Sequence, residues 1–441
     1  MSDLGPLLRR RDFLVRTGLV VGASAFAGAG GYVAGRELAE DGEPARAQPK
    51  PARDEAMQDA FALDPAYVQL TSFLLAPHPR PVREAIERHR RALDANPKGY
   101  LAQEFELERA VVEAASLYLG AGYEDVALTD STTMGLGLVY GTFRLRPGEE
   151  VVTTEHDHYA THEALRLRAE RTGAKVRRLP LYVDIARVSV DEIVESVRRA
   201  IGRRTRAVAV TWVHSSTGLK LPIREIAEAL PERVLLCVDG VHGLGVEDAS
   251  VAELGCDIFS AGCHKWLFGP RGTGIVWATP RAWNEVAAVI PTFDGRSYGA
   301  WIDGREPTGL PPAAAMTPGG FHSFEHRWAL AEAFAWHQEL GRARVAEHTH
   351  TLAGALKDGL SEISGVNVIT PRDEELSAGI VCAEIGGDPR GIVAHLESEH
   401  RVIASVTPYA TEYVRFGPSI ANTEEDVERA LGAVRSLVQL S

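Results

Sequence analysis

Cysteine is scarce in this chain, which has only four among 441 residues: Cys237, Cys256, Cys263 and Cys382. A disulfide framework needs a dense set of cysteines in a short chain, so that class of protein is excluded. The four do not form a Cys-x-x-Cys pair, and a structural zinc site is therefore not expected. The sequence leaves open one disulfide bond in an oxidising compartment.

Positive charge is also in deficit, because 47 Lys and Arg stand against 60 Asp and Glu, for a formal net charge of -13. A nucleic-acid-binding face concentrates basic residues to meet phosphates, and no such block occurs outside the N-terminus. We therefore expect no nucleic-acid partner.

A strongly apolar run is missing at the start of the chain. Residues 17–35 carry no charge but are mostly Gly and Ala, whereas a membrane-spanning helix needs about 20 strongly apolar residues. Arg10-Arg11 precede this stretch and resemble a twin-arginine motif. Small-residue sites of the cleavable kind occur at Ala25-Phe26-Ala27 and at Ala45-Arg46-Ala47. We expect export by the twin-arginine machinery to the periplasm or the exterior. The alternatives are a retained membrane anchor and a disordered tail.

The rest of the chain has the pattern of an α/β protein. Residues 37–60 are polar and Pro-containing, as in a linker, and helical spacing predicts helices at residues 81–93 and 105–118. Short apolar runs then alternate with helical patterns. Strands are predicted at residues 125–129, 150–154, 176–179, 207–213, 234–239, 257–260 and 274–278, and helices at 133–143, 160–172, 190–201 and 223–230. This alternation indicates a mostly parallel sheet covered by helices.

Two polar residues follow buried strands of this predicted sheet. Asp239 ends one all-apolar run, and Lys265 follows the next. Ligands in such sheets bind beyond the carboxyl ends of the strands, so the two side chains can meet over one ligand. A carboxylate there is costly to bury without a cationic or hydrogen-bonding partner.

An Asp and a Lys used together in this way are typical of pyridoxal phosphate (PLP) chemistry, in which lysine forms a Schiff base and an acid holds the pyridine nitrogen protonated. The segments VDGVHGLG and FSAGCHKWLFGPRGTG resemble the class V aminotransferase family of fold-type I PLP enzymes. The segment CHKWL is especially similar to the corresponding segment of the isopenicillin N epimerase-like branch of this family. The resemblance implies PLP as the cofactor and Lys265 as the catalytic lysine.

The resemblance also implies roles for other residues. Ser131, Thr132 and Thr133 would bind the phosphate, and His156 would stack on the pyridine ring and take part in catalysis. His242 would contact the phenolic oxygen. Relatives carry a phosphate-binding serine at the position of Gly262, and Ser260 or His264 can replace it. The remaining expected contacts are Thr317 with the phosphate across a dimer, Arg415 with the substrate carboxylate, and His158 and Tyr159 with the substrate.

A metal site at His156 and His158 is not expected, since no third ligand with suitable spacing accompanies them. The implied organisation is a signal segment (residues 1–36), a linker (37–60), an N-terminal part of the small domain (61–102), a PLP-binding large domain (103–324) and a C-terminal small domain (325–441). A homodimer is expected.

The expected reaction is isopenicillin N epimerase-like and acts on an amino acid or small peptide. Aminotransferase or C-S lyase chemistry of the same family is the alternative. Cysteine desulfurase chemistry needs a nucleophilic cysteine on a mobile loop, and Cys382 lies in a run that reads as a buried strand. A non-catalytic PLP-binding protein is the alternative from a different class.

Overall fold

A computed structural model describes residues 57–440 of the chain. The predicted signal segment and most of the predicted linker lie outside the described residues. The last residues of that linker, Met57–Ala60, form a 3-10 helix in which Met57 is buried. Within residues 57–440, no helix is both long and apolar enough to cross a membrane.

The helices and strands alternate through most of the chain. The helices are α1 (Arg80–Ala95), α2 (Pro97–Leu101), α3 (Glu104–Leu119), α4 (Thr132–Thr142), α5 (Tyr159–Thr172), α6 (Val190–Ala200), α7 (Ile223–Ala229), α8 (Val251–Leu254), α9 (Pro280–Trp283), α10 (Gly295–Ile302), α11 (Pro312–Met316), α12 (Phe324–Leu340), α13 (Arg342–Ser361), α14 (Pro389–His400) and α15 (Glu424–Leu440). The strands are β1 (Val68–Gln69), β2 (Val126–Thr129), β3 (Glu150–Thr154), β4 (Lys175–Leu179), β5 (Thr205–Thr211), β6 (Leu235–Asp239), β7 (Ile258–Gly262), β8 (Gly274–Ala278), β9 (Val366–Val368), β10 (Val381–Ile385), β11 (Val402–Ile403), β12 (Ser405–Val406) and β13 (Val414–Phe416).

A seven-stranded sheet forms the centre of the molecule, with the strand order β2-β8-β7-β6-β5-β3-β4. Only β8 runs antiparallel to its neighbours within this sheet, so the mostly parallel sheet predicted from the sequence is confirmed. Crossover helices between parallel strands place all the parallel carboxyl ends at one edge.

Alternate residues of each central strand enter two different cores. In β6, Leu236 and Val238 pack in the core that contains α6 and α7, whereas Leu235 and Cys237 pack against α4 and α5. Because both faces are covered, the strand is an unbroken apolar run rather than an alternating one. The only carboxylate in β6 is that of Asp239, at its carboxyl end.

A smaller four-stranded antiparallel sheet, β12-β13-β10-β9, packs with α13, α14 and α15. The N-terminal segment joins this part of the molecule, since β1 pairs with β11 and Thr71 bridges to Gly417. The chain around Phe73 is thereby brought beside the carboxyl ends of the large sheet, where Phe73 lies against Trp266.

Candidate active site

The carboxyl ends of the parallel strands bring the predicted site residues together. His156 follows β3, Asp239 ends β6, and Lys265 follows β7. These are the ends at which open α/β sheets bind ligands. The site therefore occupies the position that the strand pattern predicts.

Lys265 lies beside His242 in a buried setting. Its Nζ is 3.4 Å from His242 Nε2, and the indole Nε1 of Trp266 donates to His242 Nδ1 at 3.3 Å. Burial lowers the pKa of Lys265, the carboxylate of Asp239 partly restores it, and the charge of Arg415 lowers it further. A lysine with a lowered pKa has more of the neutral amine that attacks a carbonyl.

Asp239 is 2% exposed at the end of β6. Its Oδ1 accepts the Val241 N–H at 3.1 Å. Burial raises its pKa, while this hydrogen bond and the nearby Lys265 lower it. The predicted Asp and Lys thus share one electrostatic environment, as an acid and an amine serving one cofactor must.

His156 lies at the end of β3 with its ring stacked on Tyr182. The ring centroids are 4.5 Å apart and the planes differ by 11°. Burial lowers the pKa of His156, so the ring is neutral near pH 7. Its Nε2 is buried with no hydrogen-bond partner among the described residues. One face of the ring is therefore supported by Tyr182, which the sequence did not single out.

Two further residues lie next to His156. The sequence indicates no role for Asp157, whereas His214 belongs to a segment (residues 212–218) that resembles a family loop facing the cofactor ring. The buried carboxylate of Asp157 accepts the Thr153 hydroxyl, the Thr154 N–H and the Thr211 N–H, and so ties the end of β3 to the end of β5. The ring of His214, fully buried, lies 5.6 Å from that of His156. An aspartate three residues beyond the end of a buried strand is the signal that could have indicated the support from Asp157.

The predicted phosphate loop forms the N-terminus of α4. Ser131 caps the helix, and its Oγ accepts the Met134 N–H at 3.1 Å. The Thr132 hydroxyl accepts the Gly262 N–H at 2.7 Å and keeps its own hydrogen to donate. Thr133 is exposed. A helix N-terminus with adjacent hydroxyls is a common anion site, and here it is joined to the strand that leads to Lys265.

The glycine at position 262, where relatives carry a serine, has a steric reason. An added Cβ at Gly262 would lie 2.9 Å from both His264 Cε1 and Thr132 Oγ1, so a serine does not fit there without movement. His264 Nδ1 is buried without a partner among the described residues. Ser260 instead lies under Gly135 of α4, where an added Cβ would be 2.4 Å from its Oγ. Which of the two residues takes the place of the serine stays a prediction.

Arg415 is buried beside the lysine, with 2% exposure. Its Nε donates to Ser405 Oγ at 3.1 Å, Nη1 donates to the Ser215 carbonyl at 3.0 Å, and the guanidinium lies over the Phe73 ring. No carboxylate is within ion-pair distance of it in the described part of the chain. A buried, unpaired arginine is costly, and an anionic ligand would relieve that cost.

The side chains at the start of α5 lie at the outer part of the site. His158 caps the helix by accepting the Ala160 N–H at 3.2 Å. Burial lowers its pKa, and the charges of Lys265 and Arg415 lower it further. Tyr159 is 71% exposed.

Tyr409 is a site residue that no motif indicated. Its hydroxyl lies 2.7 Å from Ser215 Oγ, on the loop between β12 and β13. Burial raises its pKa to about 12, and it therefore keeps its proton at neutral pH. It reaches the site from the small sheet, through a contact between segments 194 residues apart in the chain.

Thr317 lies away from this cluster, at the edge strand of the large sheet. Its hydroxyl accepts the Leu128 N–H at 3.1 Å and donates to the Ala313 carbonyl at 3.1 Å. The hydroxyl is thus bound within its own chain, and the contact of Thr317 with a phosphate across a dimer stays a prediction.

The residue pattern of the site agrees with a family model, Aminotransferase class-V, which matches residues 77–430. The chain belongs to the aminotransferase class V family. This membership confirms the fold-type I architecture and the expectation of a PLP-dependent enzyme, and it leaves the reaction type open.

Two kinds of relative are similar over most of the chain. Isopenicillin N epimerase of Amycolatopsis lactamdurans is 28% identical over 394 residues, which cover 86% of this chain and 97% of that protein. A probable cysteine desulfurase of Vibrio cholerae is 25% identical, over 74% of this chain and 82% of that protein.

Solved structures share the fold at lower identity. The cystine C-S lyase C-DES, in complex with its reaction product cysteine persulfide, has a TM-score of 0.76 and 20% identity, over 84% of this chain and 97% of that chain. The apo cysteine desulfurase of Thermococcus onnurineus NA1 has a TM-score of 0.76 and 20% identity, over 87% of this chain and 98% of that chain.

The residues present fit PLP. The cradle at Gly262, between Thr132 and the unpaired His264 Nδ1, suits a phosphate. Asp239 suits a pyridinium nitrogen, and the neutral ring of His156 suits a stacked aromatic. All four cysteines, in contrast, are buried and free, and burial raises the pKa of each thiol, that of Cys382 to about 12.

Proposed function

We propose that this enzyme moves the α-proton of an amino acid or small peptide, in an isopenicillin N epimerase-like reaction. The observation that carries the proposal is Arg415, a buried cation without an acidic partner beside Lys265. An amino acid places a carboxylate and an amine on one carbon. A guanidinium that binds the carboxylate would therefore hold the α-carbon near the lysine.

The chain's own residues would share the work as follows. PLP, when bound, withdraws electrons from the substrate α-carbon and so makes its proton acidic. Asp239 would keep the ring nitrogen protonated, and the Ser131–Thr133 loop and His264 would hold the phosphate. Lys265 Nζ, with its lowered pKa, would act as a base on one face of the substrate.

A second proton donor is needed for inversion. His156, His158 and Tyr159 are the candidates from the sequence, and Tyr409 joins them because its hydroxyl lies in the site and keeps its proton. Epimerisation requires that the returning proton comes from the face opposite to Lys265.

Cysteine desulfurase chemistry is disfavoured by the thiols. Such chemistry needs an accessible thiolate, whereas every cysteine of this chain is buried with a raised pKa. The likeness to cysteine desulfurases therefore supports the shared cofactor rather than a shared reaction.

The test is incubation of the purified enzyme with amino acids and small peptides in deuterated water. We expect deuterium at the α-carbon and inversion of configuration, both lost in Lys265→Ala together with the visible cofactor band. Keto-acid formation would instead indicate an aminotransferase, and sulfide release a C-S lyase. If no amino compound changes the cofactor spectrum, the chain is a non-catalytic PLP-binding protein and the proposal fails.

We also propose export through a twin-arginine signal. The supporting feature is Arg10-Arg11 ahead of a weakly apolar stretch. In a bacterial host with this machinery, fractionation should find the wild type outside the cytoplasm and the Arg10→Lys, Arg11→Lys variant inside. Equal distribution of the two would contradict export by this route.

A homodimer is the third proposal. Two segments beside Thr317 meet where the Gly319 N–H donates to the Pro291 carbonyl, and they carry the exposed apolar side chains of Val289, Phe293 and Phe321, at 67%, 53% and 85% exposure. Exposed apolar clusters of this kind are typical of protein interfaces.

A further inference from the structure

His242 sits between the catalytic lysine and the residue that follows it in the chain. The Trp266 indole contacts one ring nitrogen of His242, Nδ1, at 3.3 Å. The Lys265 amine contacts the other, Nε2, at 3.4 Å. The imidazole thus links two consecutive side chains through its two nitrogens.

These contacts define where the imidazole proton lies. An indole N–H can only donate, so His242 Nδ1 must be the acceptor and must carry no hydrogen. In a neutral ring the single proton is then on Nε2, which points at Lys265. An Nε2–H can donate to the lysine only if the amine offers a lone pair, which an ammonium does not have.

We propose that Trp266 is a positioning residue that fixes the tautomer of His242 and thereby favours the neutral amine of Lys265. The inference deepens the proposed function, because it rests on Lys265 being the lysine that captures the cofactor. Without the indole N–H, the ring could move its proton to Nδ1 and accept from a lysine ammonium. Trp266 would then act on the lysine through His242, without touching it by a hydrogen bond of its own.

The surroundings of His242 keep its ring neutral, so that only the position of the ring proton can change. The ring is 5% exposed, and the ionisable groups around it are Lys265, Arg415, His158 and His264. Burial and these groups all lower its pKa, and no acidic group is among them. The ring therefore stays neutral, and its state differs only in which nitrogen holds the proton.

The indole itself is held in place. Trp266 is 2% exposed. A Cβ added to Gly379 would lie 2.6 Å from the Cη2 atom of Trp266, and one added to Gly417 would lie 3.2 Å from the same atom. Phe73 lies at a ring-centroid distance of 6.2 Å. Because glycines make room for the six-membered ring, the N–H is aimed at His242 rather than free to rotate.

The first test reads the tautomer directly and needs no cofactor. Nitrogen NMR of the apoenzyme with ring-labelled histidine distinguishes the two neutral tautomers, and the signals missing in His242→Leu assign that ring. We expect the Nε2–H form in the wild type and a mixture, or the Nδ1–H form, in Trp266→Phe. An Nδ1–H form or an imidazolium in the wild type overturns the inference.

The second test measures cofactor capture. PLP is added to the apoenzyme at a series of pH values, and the rate at which the visible band appears is recorded. In Trp266→Phe the midpoint of this profile should rise by roughly one pH unit, since the lysine becomes more basic. In the His242→Leu background, Trp266→Phe should cause no further shift, because nothing is left to transmit the effect.

Trp277→Phe is the matched control. Trp277 is also buried, in β8, but its indole N–H has no partner among residues 57–440. It loses the same ring volume and should leave the profile unchanged. An equal shift in both variants would mean a packing effect and would contradict the inference. If no band forms even in the wild type, the proposed function fails, while the NMR result on the apoenzyme still decides the tautomer.

Discussion

Gly262 stands where relatives carry a phosphate-binding serine, and the ring of His264 lies next to it. The His264 ring lies where a side chain at position 262 would otherwise be, 2.9 Å from an added Cβ. A serine at position 262 would thus collide with the His264 ring. The glycine at position 262 is therefore needed because His264 occupies the adjacent space.

Gly262→Ser should therefore weaken PLP binding instead of restoring a familiar contact. We expect about a tenfold loss of affinity, or about 1.4 kcal/mol, because Thr132 or His264 must move. Absorbance titration of the apoenzyme measures this. Gly137→Ala is the control: this glycine lies on α4, the helix that begins at Thr132, with nothing within 4 Å of an added Cβ. It should add about 0.5–1 kcal/mol of stability at unchanged affinity. Equal affinity for Gly262→Ser and the wild type would refute the steric argument.

Arg415→Lys should raise the KM for amino acids by about 10- to 100-fold, since a lysine cannot reproduce the planar guanidinium fork. The cofactor spectrum should not change, because Arg415 is assigned to the substrate. Steady-state kinetics with an amino acid and with the corresponding amine, which lacks the carboxylate, separates these effects. If the variant loses activity on both compounds equally, Arg415 is not a carboxylate site.

Among single residues, the sequence predicted those that lie in a recognisable motif. Lys265, Asp239 and Arg415 are of this kind. Tyr409 and Tyr182 were missed because their place in the site comes from tertiary packing, and their local sequence resembles that of an ordinary loop. The contact of Trp266 with His242 likewise depends on the path of the chain between them.

Helix α12 contains a buried histidine that its sequence pattern does not indicate. Its His337 is fully buried, both ring nitrogens lack partners among the described residues, and the ring stacks on Phe268. Burial lowers its pKa from 6.5 to about 3. Below about pH 6.5 the unfolded chain binds a proton that the folded chain does not, so stability is lost as the pH falls towards 3.

His337→Leu should remove this loss. Relative to the wild type, we expect the variant to retain about 2 kcal/mol more stability on going from pH 7 to pH 5. Chemical denaturation at the two pH values provides the comparison. His400→Leu, at the partly exposed end of α14, is the control and should follow the wild type. Parallel pH curves for His337→Leu and the wild type would show that the ring does not stay neutral in the fold.

The elements of the large sheet were predictable, and those of the small sheet were less so. Strands β3 and β8 begin and end at the predicted residues, since each is a short run of β-branched or apolar residues that is almost entirely buried. Strands β11 and β12 have two residues each, too few to show any periodicity. Their positions depend on partners far away in the chain, which local sequence does not encode.

At the scale of the whole molecule, the exposed apolar cluster of Val289, Phe293 and Phe321 predicts the oligomeric state. Sedimentation of the wild type should give a dimer. The variant Val289→Glu, Phe321→Glu should be a monomer that loses PLP faster, because charges in an interface core are costly. Leu117→Glu, at a residue 71% exposed on α3, is the control and should remain dimeric. A monomeric wild type with full PLP content would contradict this prediction.

The four buried thiols have a consequence for where the protein can exist. Each is free, and none is accessible to an oxidant. The fold thus gains no stability from a disulfide bond, and its melting temperature should be the same with and without dithiothreitol. A chain of this kind can complete its fold in a reducing compartment and keep it in an oxidising one. Its stability does not depend on redox potential, which is the property that the proposed export would require if the cofactor is acquired before the membrane is crossed.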